Sequence, residues 1–332
     1  MLRLLFIVLI PFTLSAQLKR FQFSESKMGS PFNLIFYHND SVEALSVAKE
    51  CFSIVDSLNA VFSDYTTESE TGKLNSSAVH HDIKVSDELF AMIVQSKKAW
   101  LQSEKTFDIS IGALSRLWRK AKRENKFPKE ATIKKVKQST GFENITINEK
   151  TKTISLRKPG IKFDFGGIVP GYAAQKVIDY LKSKNIHQAL VDASGDIVIS
   201  DAPPGKNGWS IGINLPESEN EVWDSNLELN NCAVSTSGDV YRYIVYKGKK
   251  YSHIIDPRTG YGVTSQRNVT VIAKNGATGD WLATACSILS IEKALALAKK
   301  EKAELLIATL QDEKIITYKT EGFDSYFRPK LP

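Results

Sequence analysis

Residues 162–181 read KFDFGGIVPGYAAQKVIDYL, a stretch in which three glycines and a proline separate a strand-like run from a helical pattern. The apolar run at 163–165 is typical of a strand, and helical spacing follows from Tyr172. Glycine loops before helices often hold phosphate, because bare backbone can approach a ligand and helix N-termini favour anions. This spacing is neither G-x-G-x-x-G nor G-x-x-x-x-G-K-[ST], so the familiar nucleotide motifs do not explain it.

Outward from this junction, the chain mixes strands, hairpins and helices without strict alternation. Helical spacing is found at 41–62, 87–103, 113–140 with a break near Pro128, 172–184, 280–290 and 291–301. Strands are predicted at 32–37, 145–147, 153–156, 162–165, 188–191, 197–200, 209–213 and 269–273, with hairpins over 241–254 and 305–318. The polar segments 63–75 and 235–239 are predicted as loops. This mixture predicts one α+β domain over residues 21–332, with mixed, largely antiparallel sheets flanked by helices.

Composition and charge narrow the class of protein. Of 332 residues, 42% are hydrophobic and 24% charged, which is ordinary for a folded soluble protein. The net charge is +7, but the basic runs lack interleaved aromatics or a nucleic-acid motif, so they predict a solvated basic surface and no nucleic-acid partner. Cys51, Cys232 and Cys286 lie at no metal-ligand spacing and allow at most one internal disulfide. Two of them, Cys51 and Cys286, fall on apolar helical patterns and are predicted to pack in the core.

The first residues, MLRLLFIVLIPFTLSAQ, have the three parts of a secretory signal. A basic start, a short apolar stretch and a small-residue ending predict cleavage after Ala16. The apolar stretch is too short for a comfortable membrane span, although an uncleaved anchor is the alternative. No cysteine follows the small residues, so a lipoprotein is not expected. The sequence predicts an exported protein, periplasmic or associated with the cell envelope.

Two polar stretches lie where a packed core gains nothing from them. Residues 235–239 read STSGD, in which small hydroxyls and Gly238 permit close approach to a ligand. A polar hairpin turn is the alternative. Residues 253–260 read HIIDPRTG, where a histidine can move a proton and an arginine can bind phosphate or a carboxylate. A capped turn with an internal ion pair between Asp256 and Arg258 is an equally good interpretation.

Asp280 and Thr284 are four residues apart on a predicted helix, so their side chains share one face. A carboxylate and a hydroxyl are hard oxygen ligands that suit a magnesium ion. The alternative is that Asp280 merely favours the N-terminus of the helix through the dipole.

Together these stretches resemble the ApbE family of FAD:protein FMN transferases over nearly the whole mature chain. The similar segments are Met28-Gly29-Ser30, Phe62–Tyr65 with Ser69-Glu70 and Leu74-Asn75, Phe107–Gly112 with Leu117-Trp118, Asp164–Gly171, Ser237-Gly238-Asp239, Ser252–Gly260 and Asp280–Thr284. Each match alone is weak, whereas the ordered set is specific.

The resemblance implies a T-fold-related domain, FAD as substrate and Mg²⁺ as cofactor. The metal would be held by the backbone carbonyl of Val169 and by Asp280 and Thr284. The cofactor-binding residues that the resemblance and the motifs imply are Met28, Tyr65, Gly166, Gly167, Gly171, Ser237, Gly238, Asp239 and Arg258. Tyr65 could stack on an aromatic ring.

The implied reaction is phosphoryl transfer from FAD to a threonine or serine hydroxyl of a target protein, with release of AMP. His253 and Asp256 are the predicted catalytic residues, His253 being the candidate that assists the attacking hydroxyl. The resemblance implies an acceptor protein with a Thr/Ser motif, such as a subunit of a redox membrane complex.

Four positions depart from the family pattern, and two of them, Asp192 and Ser194, stand where the family usually has asparagine and glycine. Pro170 stands where the family has lysine, and Gln175 where it has aspartate. An FAD pyrophosphatase, in which water replaces the protein hydroxyl, would use the same residues. A non-catalytic exported FAD-binding protein is the other alternative, and a binder of another small ligand would have no need of the Asp280/Thr284 pair.

Overall fold

A computed structural model describes residues 17–77, 79–213, 225–238, 243–311 and 314–329. The predicted signal segment, residues 1–16, lies outside these ranges. The helices are α1 Ser41–Phe62, α2 Glu70–Ser76, α3 Asp87–Gln102, α4 Gly112–Arg123, α5 Glu130–Lys137, α6 Val169–Ser183, α7 Gly276–Ile288 and α8 Ile291–Lys300. The strands are β1 Lys19–Lys27, β2 Ser30–His38, β3 Ile83–Lys84, β4 Ile145–Asn148, β5 Thr153–Leu156, β6 Ala189–Ala193, β7 Asp196–Ile199, β8 Trp209–Ile211, β9 Ser225–Leu229, β10 Cys232–Gly238, β11 Tyr243–Tyr246, β12 Lys249–Ser252, β13 Arg267–Ala273, β14 Glu304–Gln311, β15 Lys314–Lys319 and β16 Phe327–Pro329.

An eight-stranded sheet in the order β1-β2-β6-β7-β10-β13-β14-β15 organises the molecule. Every neighbouring pair in it is antiparallel. Smaller antiparallel sheets are formed by β3-β5-β4, by β16-β9-β8 and by the hairpin β11-β12. The prediction of an α+β fold with largely antiparallel sheets flanked by helices is confirmed.

Two helices show how the sequence builds the core. Asp40 caps α1 by accepting from the backbone N–H groups of Val42 and Glu43, and the apolar stripe of the helix is buried. Helix α7 is buried on nearly all sides and packs on α6, α8 and the sheet. An all-round apolar helix is typical of such a central position.

The close contact between α6 and α7 depends on two glycines. A Cβ on Gly171 would overlap the carbonyl oxygen of Gly276, and a Cβ on Gly276 would overlap that of Gly171. The two backbones therefore lie against each other, which fixes the start of α6 relative to α7.

The structure corrects four predictions of local structure. Residues 162–165 form no strand: the Asn75 side chain bonds both backbone groups of Phe163, and the Asp164 N–H donates to the Ile109 carbonyl. Residues 235–238 continue β10 instead of turning, because they pair with β13. Helix α7 begins at Gly276 rather than at Asp280, since Asn275 caps it. The polar segment 63–75 contains helix α2, capped by Ser69.

The three cysteines are free, and Cys51 and Cys286 are buried in the core as predicted. Across the described ranges, no helix is both long and apolar enough to cross a membrane.

Candidate active site

A cavity of about 930 Å³ lies where the glycine loop before α6, the start of α7, strand β10 and the segment after β12 meet. The predicted site residues that line it are Met28, Tyr65, Gly166, Gly167, Val169, Ser237, Gly238, His253, Asp280 and Thr284. Asp239 lies outside the described residues.

The three glycines of the opening stretch serve different purposes. Gly166 and Gly167 line the cavity. A Cβ on Gly167 would come within 2.9 Å of the Thr284 hydroxyl, so this glycine leaves room for that group. Gly171, predicted to lie against the cofactor, instead makes the contact with Gly276 described above. Its N–H also donates to Asp280 Oδ2 at 3.1 Å.

Two carboxylates face each other across the cavity wall. Asp280 is 5% exposed, and Asp196 at the start of β7 lines the same cavity. Burial, and then repulsion from Asp196, raises the pKa of Asp280 well above its usual range. Burial, opposed by the nearby Ser235 hydroxyl and reinforced by repulsion from Asp192, raises the pKa of Asp196 to about 7. Burial and mutual repulsion therefore both disfavour ionisation of this pair while the cavity holds no cation.

These residues fit a divalent cation. The Asp280 carboxylate and the Thr284 hydroxyl lie one turn apart on α7, and Val169, the first residue of α6, lines the same cavity. Carboxylate, hydroxyl and carbonyl oxygens are the donors that magnesium prefers. A cation there would also relieve the repulsion between Asp280 and Asp196. The described residues contain no cluster of three His, Cys, Asp or Glu side chains of the metal-binding kind, so such a site would depend on hydroxyl and backbone oxygens as well.

Strand β10 brings Ser237 and Gly238 to the cavity. Gly238 pairs with Asn268 of β13, and a Cβ on Gly238 would overlap the Asn268 side chain. Asn268 is buried and lines the cavity as well. The glycine thus makes room for a polar side chain that the sequence analysis did not identify.

Met28 reaches the cavity from the turn between β1 and β2. Met28 and Gly29 form this two-residue turn with φ of 52° and 77°. Both values are positive, as in the tight turns that join right-twisted strands. The turn therefore fixes Met28 at the cavity wall.

The HIIDPRTG segment divides into two parts. His253 is exposed and lines the cavity directly after β12. Asp256 lies outside that lining and accepts from the Arg258 N–H at 2.8 Å and from its guanidinium at 2.8 and 2.9 Å. Its carbonyl accepts from the Gly260 N–H at 2.8 Å, which closes the turn. The positions of Asp256 and Arg258 thus support the capped turn rather than the predicted catalytic and cofactor-binding roles.

Arg119 is a cavity residue that the sequence analysis missed. It forms an ion pair with the buried carboxylate of Asp64 and lies 3.8 Å from the carboxylate of Asp164. Its guanidinium is 4.4 Å from the centre of the Tyr65 ring. Tyr65 is 79% exposed, so the cation–π contact with Arg119 is what orients it at the cavity. In the sequence, the basic run at 119–122 was the only indication of Arg119, and such a run does not reveal which of its basic side chains reaches the cavity.

Two of the departures from the family pattern, Pro170 and Gln175, lie on helix α6. Pro170 lies in the first turn of α6, where a missing N–H costs nothing, and lines the cavity. The Gln175 side chain accepts from the Gly276 N–H at 3.2 Å and donates to Asp179 at 2.9 Å. Gln175 therefore bonds the first turn of α7 from α6.

Comparisons with known proteins agree with this geometry. The model of the ApbE family matches residues 28–307. The FAD:protein FMN transferase of Klebsiella pneumoniae (strain 342) is 30% identical over 299 residues, 90% of this chain and 92% of the relative. That of Vibrio cholerae serotype O1 is 25% identical over 303 residues, 90% of each chain. Among solved structures, the ApbE protein of Thermotoga maritima superimposes with a TM-score of 0.84 at 27% identity, over 93% of this chain and all of the other. The flavin transferase ApbE of Vibrio cholerae gives 0.83 at 24% identity, over 93% of this chain and all of the other.

Proposed function

The chain belongs to the ApbE family, and on that premise we propose that it is a magnesium-dependent FAD:protein FMN transferase. It attaches FMN through a phosphoester bond to a threonine or serine hydroxyl of an acceptor protein and releases AMP. One observation carries the proposal: a single cavity brings together the oxygen donors of Asp280 and Thr284, the glycine loop before α6 and the exposed His253.

The residues of this chain divide the task of binding. Tyr65, held by Arg119, offers a ring for stacking at the exposed end of the cavity. Gly166 and Gly167 let the backbone lie close to the pyrophosphate. Asp280, Thr284 and the Val169 carbonyl would hold Mg²⁺, which when bound neutralises charge on the phosphate oxygens.

His253 handles the proton of the acceptor. The acceptor oxygen forms a bond to the FMN-side phosphorus as the bond to the bridging oxygen breaks, and AMP leaves with that electron pair. The hydroxyl proton passes to the His253 imidazole, which is exposed and lines the cavity, whereas Asp256 and Arg258 form an ion pair with each other.

We further propose that the reaction takes place outside the cytoplasm. This localisation is inferred from the signal pattern at residues 1–16, with cleavage after Ala16 and no lipid anchor. The acceptor would then be an exported protein or an exposed segment of a membrane complex. N-terminal sequencing of the protein recovered from the cell envelope tests the cleavage, and an N-terminus at Met1 would contradict cleavage after Ala16.

The transfer itself is tested by mass spectrometry of a flavin-acceptor protein incubated with the purified chain, FAD and MgCl₂. We expect a mass gain equal to one FMN adduct, the appearance of AMP, and loss of both with EDTA. A variant acceptor with alanine in place of its acceptor threonine is the control and should gain no mass.

Other outcomes would replace the proposal. Release of AMP with free FMN, and no adduct on any acceptor tested, would indicate a pyrophosphatase. FAD that is bound and recovered intact in the presence of Mg²⁺ would indicate a non-catalytic flavin-binding protein.

A further inference from the structure

The basic residues of the chain are concentrated in one part of the structure. Residues 112–140, which contain α4 and α5, and residues 243–252, the β11-β12 hairpin, are here called the basic lobe. The basic lobe contains 13 Lys or Arg and two Glu, whereas the rest of the chain contains 31 basic and 35 acidic residues. The positive net charge of the protein therefore comes entirely from the basic lobe.

The basic lobe is a packed unit rather than two separate segments. Its own apolar cluster includes Leu114, Trp118, Ile133 and Ile244. The rings of Phe127 and Tyr246 stack 4.0 Å apart and join the α4–α5 connection to the hairpin. The positive charges are thus held on a rigid surface.

The surface of the basic lobe borders the cavity, but few of its basic residues line it. Of its 13 basic residues only Arg119 and Lys122 line the cavity. Within the described chain, Arg116 and Arg119 are the lobe bases that pair with acidic residues of the main body, at Asp64 and Asp164. Most of the charge consequently lies outside the cavity and faces solvent.

An exposed apolar strip leads outward from the cavity along β11. Tyr243 lines the cavity and is 39% exposed, and Val245, two residues further on the same face of the strand, is 61% exposed. Lys250 lies 4.1 Å above the Tyr243 ring and pairs across the hairpin with Val245. The strip is therefore flanked by positive charge, the arrangement of a recognition surface with an apolar centre and a charged rim.

From these observations we propose that the basic lobe is the docking surface for the acceptor protein, and that the acceptor presents an acidic surface around its reactive hydroxyl. The inference rests on the proposed function. FAD must occupy the cavity, so the hydroxyl has to be delivered from outside across the cavity rim, and the lobe forms part of that rim. Charge complementarity over such a surface steers the encounter and sets the orientation of the partner.

A charge-reversal experiment tests the docking surface. The variant Lys126→Glu/Lys249→Glu/Lys250→Glu changes three lobe residues that do not line the cavity. Its control, Lys299→Glu/Lys300→Glu/Lys314→Glu, makes the same change of net charge on α8 and β15. The probe is the flavin-acceptor protein of the transfer assay above, and its binding to each FAD-loaded protein is measured by interferometry in 50 and 300 mM NaCl.

We expect the lobe variant to bind the acceptor roughly tenfold more weakly in 50 mM NaCl, with a flatter salt dependence than the unchanged protein. The control should bind as the unchanged protein does, and the Kd for FAD should stay within about twofold in all three. Acceptor affinity would then depend on the lobe and FAD affinity would not.

Three results would overturn the inference: equal acceptor binding by the lobe variant and its control, no acceptor binding by the unchanged protein, or lobe-dependent binding to vesicles of phosphatidylglycerol with unaltered acceptor binding. Failure of the proposed function gives a different pattern, in which no FMN adduct forms although the lobe-dependent difference in acceptor binding persists.

Discussion

Asp280 and Asp256 are both buried carboxylates, yet their surroundings differ. Asp280 lies near the start of helix α7, and Asp256 begins the turn that Gly260 closes. The Asp256 carboxylate receives the backbone and guanidinium N–H groups of Arg258, two residues away. The Asp280 carboxylate receives one N–H, from Gly171, and faces a second carboxylate. One side chain is satisfied by its own loop, and the other is held at an energetic cost beside a cavity.

The difference explains why a motif alone does not identify a site. A buried carboxylate with its oxygens filled by neighbouring donors stabilises the fold. A buried carboxylate with raised pKa, few donors and an open cavity in front of it is poised for a ligand. Substitutions at Asp280, His253, Asp256 and Asp108 test this distinction.

The largest effect is expected at Asp280. Asp280→Asn keeps an acceptor for the Gly171 N–H but removes the charge that would hold Mg²⁺, so turnover should fall by roughly 10³-fold. The Tm should not fall, because the substitution relieves repulsion with Asp196. Rates of AMP release and thermal unfolding measure both. The matched control is Asp256→Asn, with turnover within about threefold of the unchanged protein. Equal losses in the two variants would remove the distinction between these carboxylates.

His253 should come next. His253→Ala removes the proposed proton acceptor and leaves in place the residues assigned to flavin and Mg²⁺ binding, so transfer should slow by about 10²-fold. The Kd for FAD, measured by quenching of flavin fluorescence, should change less than about twofold. His187→Ala, on the exposed segment before β6, is the control. A Kd raised in parallel with the loss of rate would make His253 a binding residue instead.

Asp256 is expected to matter for stability rather than chemistry. Asp256→Ala leaves the Arg258 N–H and guanidinium without their partner but keeps the backbone bond to Gly260, and it should lower the free energy of unfolding by about 2–3 kcal/mol. Urea unfolding measures it. The rate per folded molecule should stay near that of the unchanged protein. If the variant is stable but its transfer rate falls strongly, Asp256 is a catalytic residue, as the sequence analysis predicted.

The predictable parts of the fold are those fixed by local chemistry. Helix α1 matches its predicted span, because both the apolar spacing and the capping residue Asp40 lie within or directly before the helix. Residues 162–165 do not match, since the group that takes their hydrogen bonds is Asn75, almost ninety positions away in the sequence. The start of α7 was missed because the helix is buried on nearly all sides and carries no periodic pattern.

The candidate site divides in the same way. The Asp280/Thr284 spacing is local and could be read directly as one helical face. The separation of His253 from Asp256 depends on which oxygens the loop uses for itself, which motif spacing does not reveal. The inward position of Arg119 depends on Asp64, 55 residues earlier in the chain. Asp196 could not be paired with Asp280 without knowing that β7 and α7 share a wall.

The smallest effect on stability is expected at Asp108, which is intermediate between Asp280 and Asp256. Asp108 lines the cavity, yet its carboxylate oxygens accept hydrogen bonds from the protein itself. Its carboxylate accepts from the N–H and hydroxyl of Ser110 at 2.8 and 2.6 Å and from the Phe142 N–H at 3.1 Å. Burial nevertheless raises its pKa to about 6. In the unfolded chain the pKa is 3.8, so the folded protein binds more protons between these values, and the contribution of Asp108 to stability is lost as pH rises through them.

Between pH 4.5 and 6.5 this loss should amount to roughly 2 kcal/mol. It is isolated by comparing urea unfolding of the protein with that of Asp108→Asn, which cannot ionise. The stability of the unchanged protein minus that of the variant should fall as pH rises over this range. A difference that stays constant with pH would mean that the donors from Ser110 and Phe142 fully offset burial, and Asp108 would then belong with Asp256, whose oxygens its own loop satisfies.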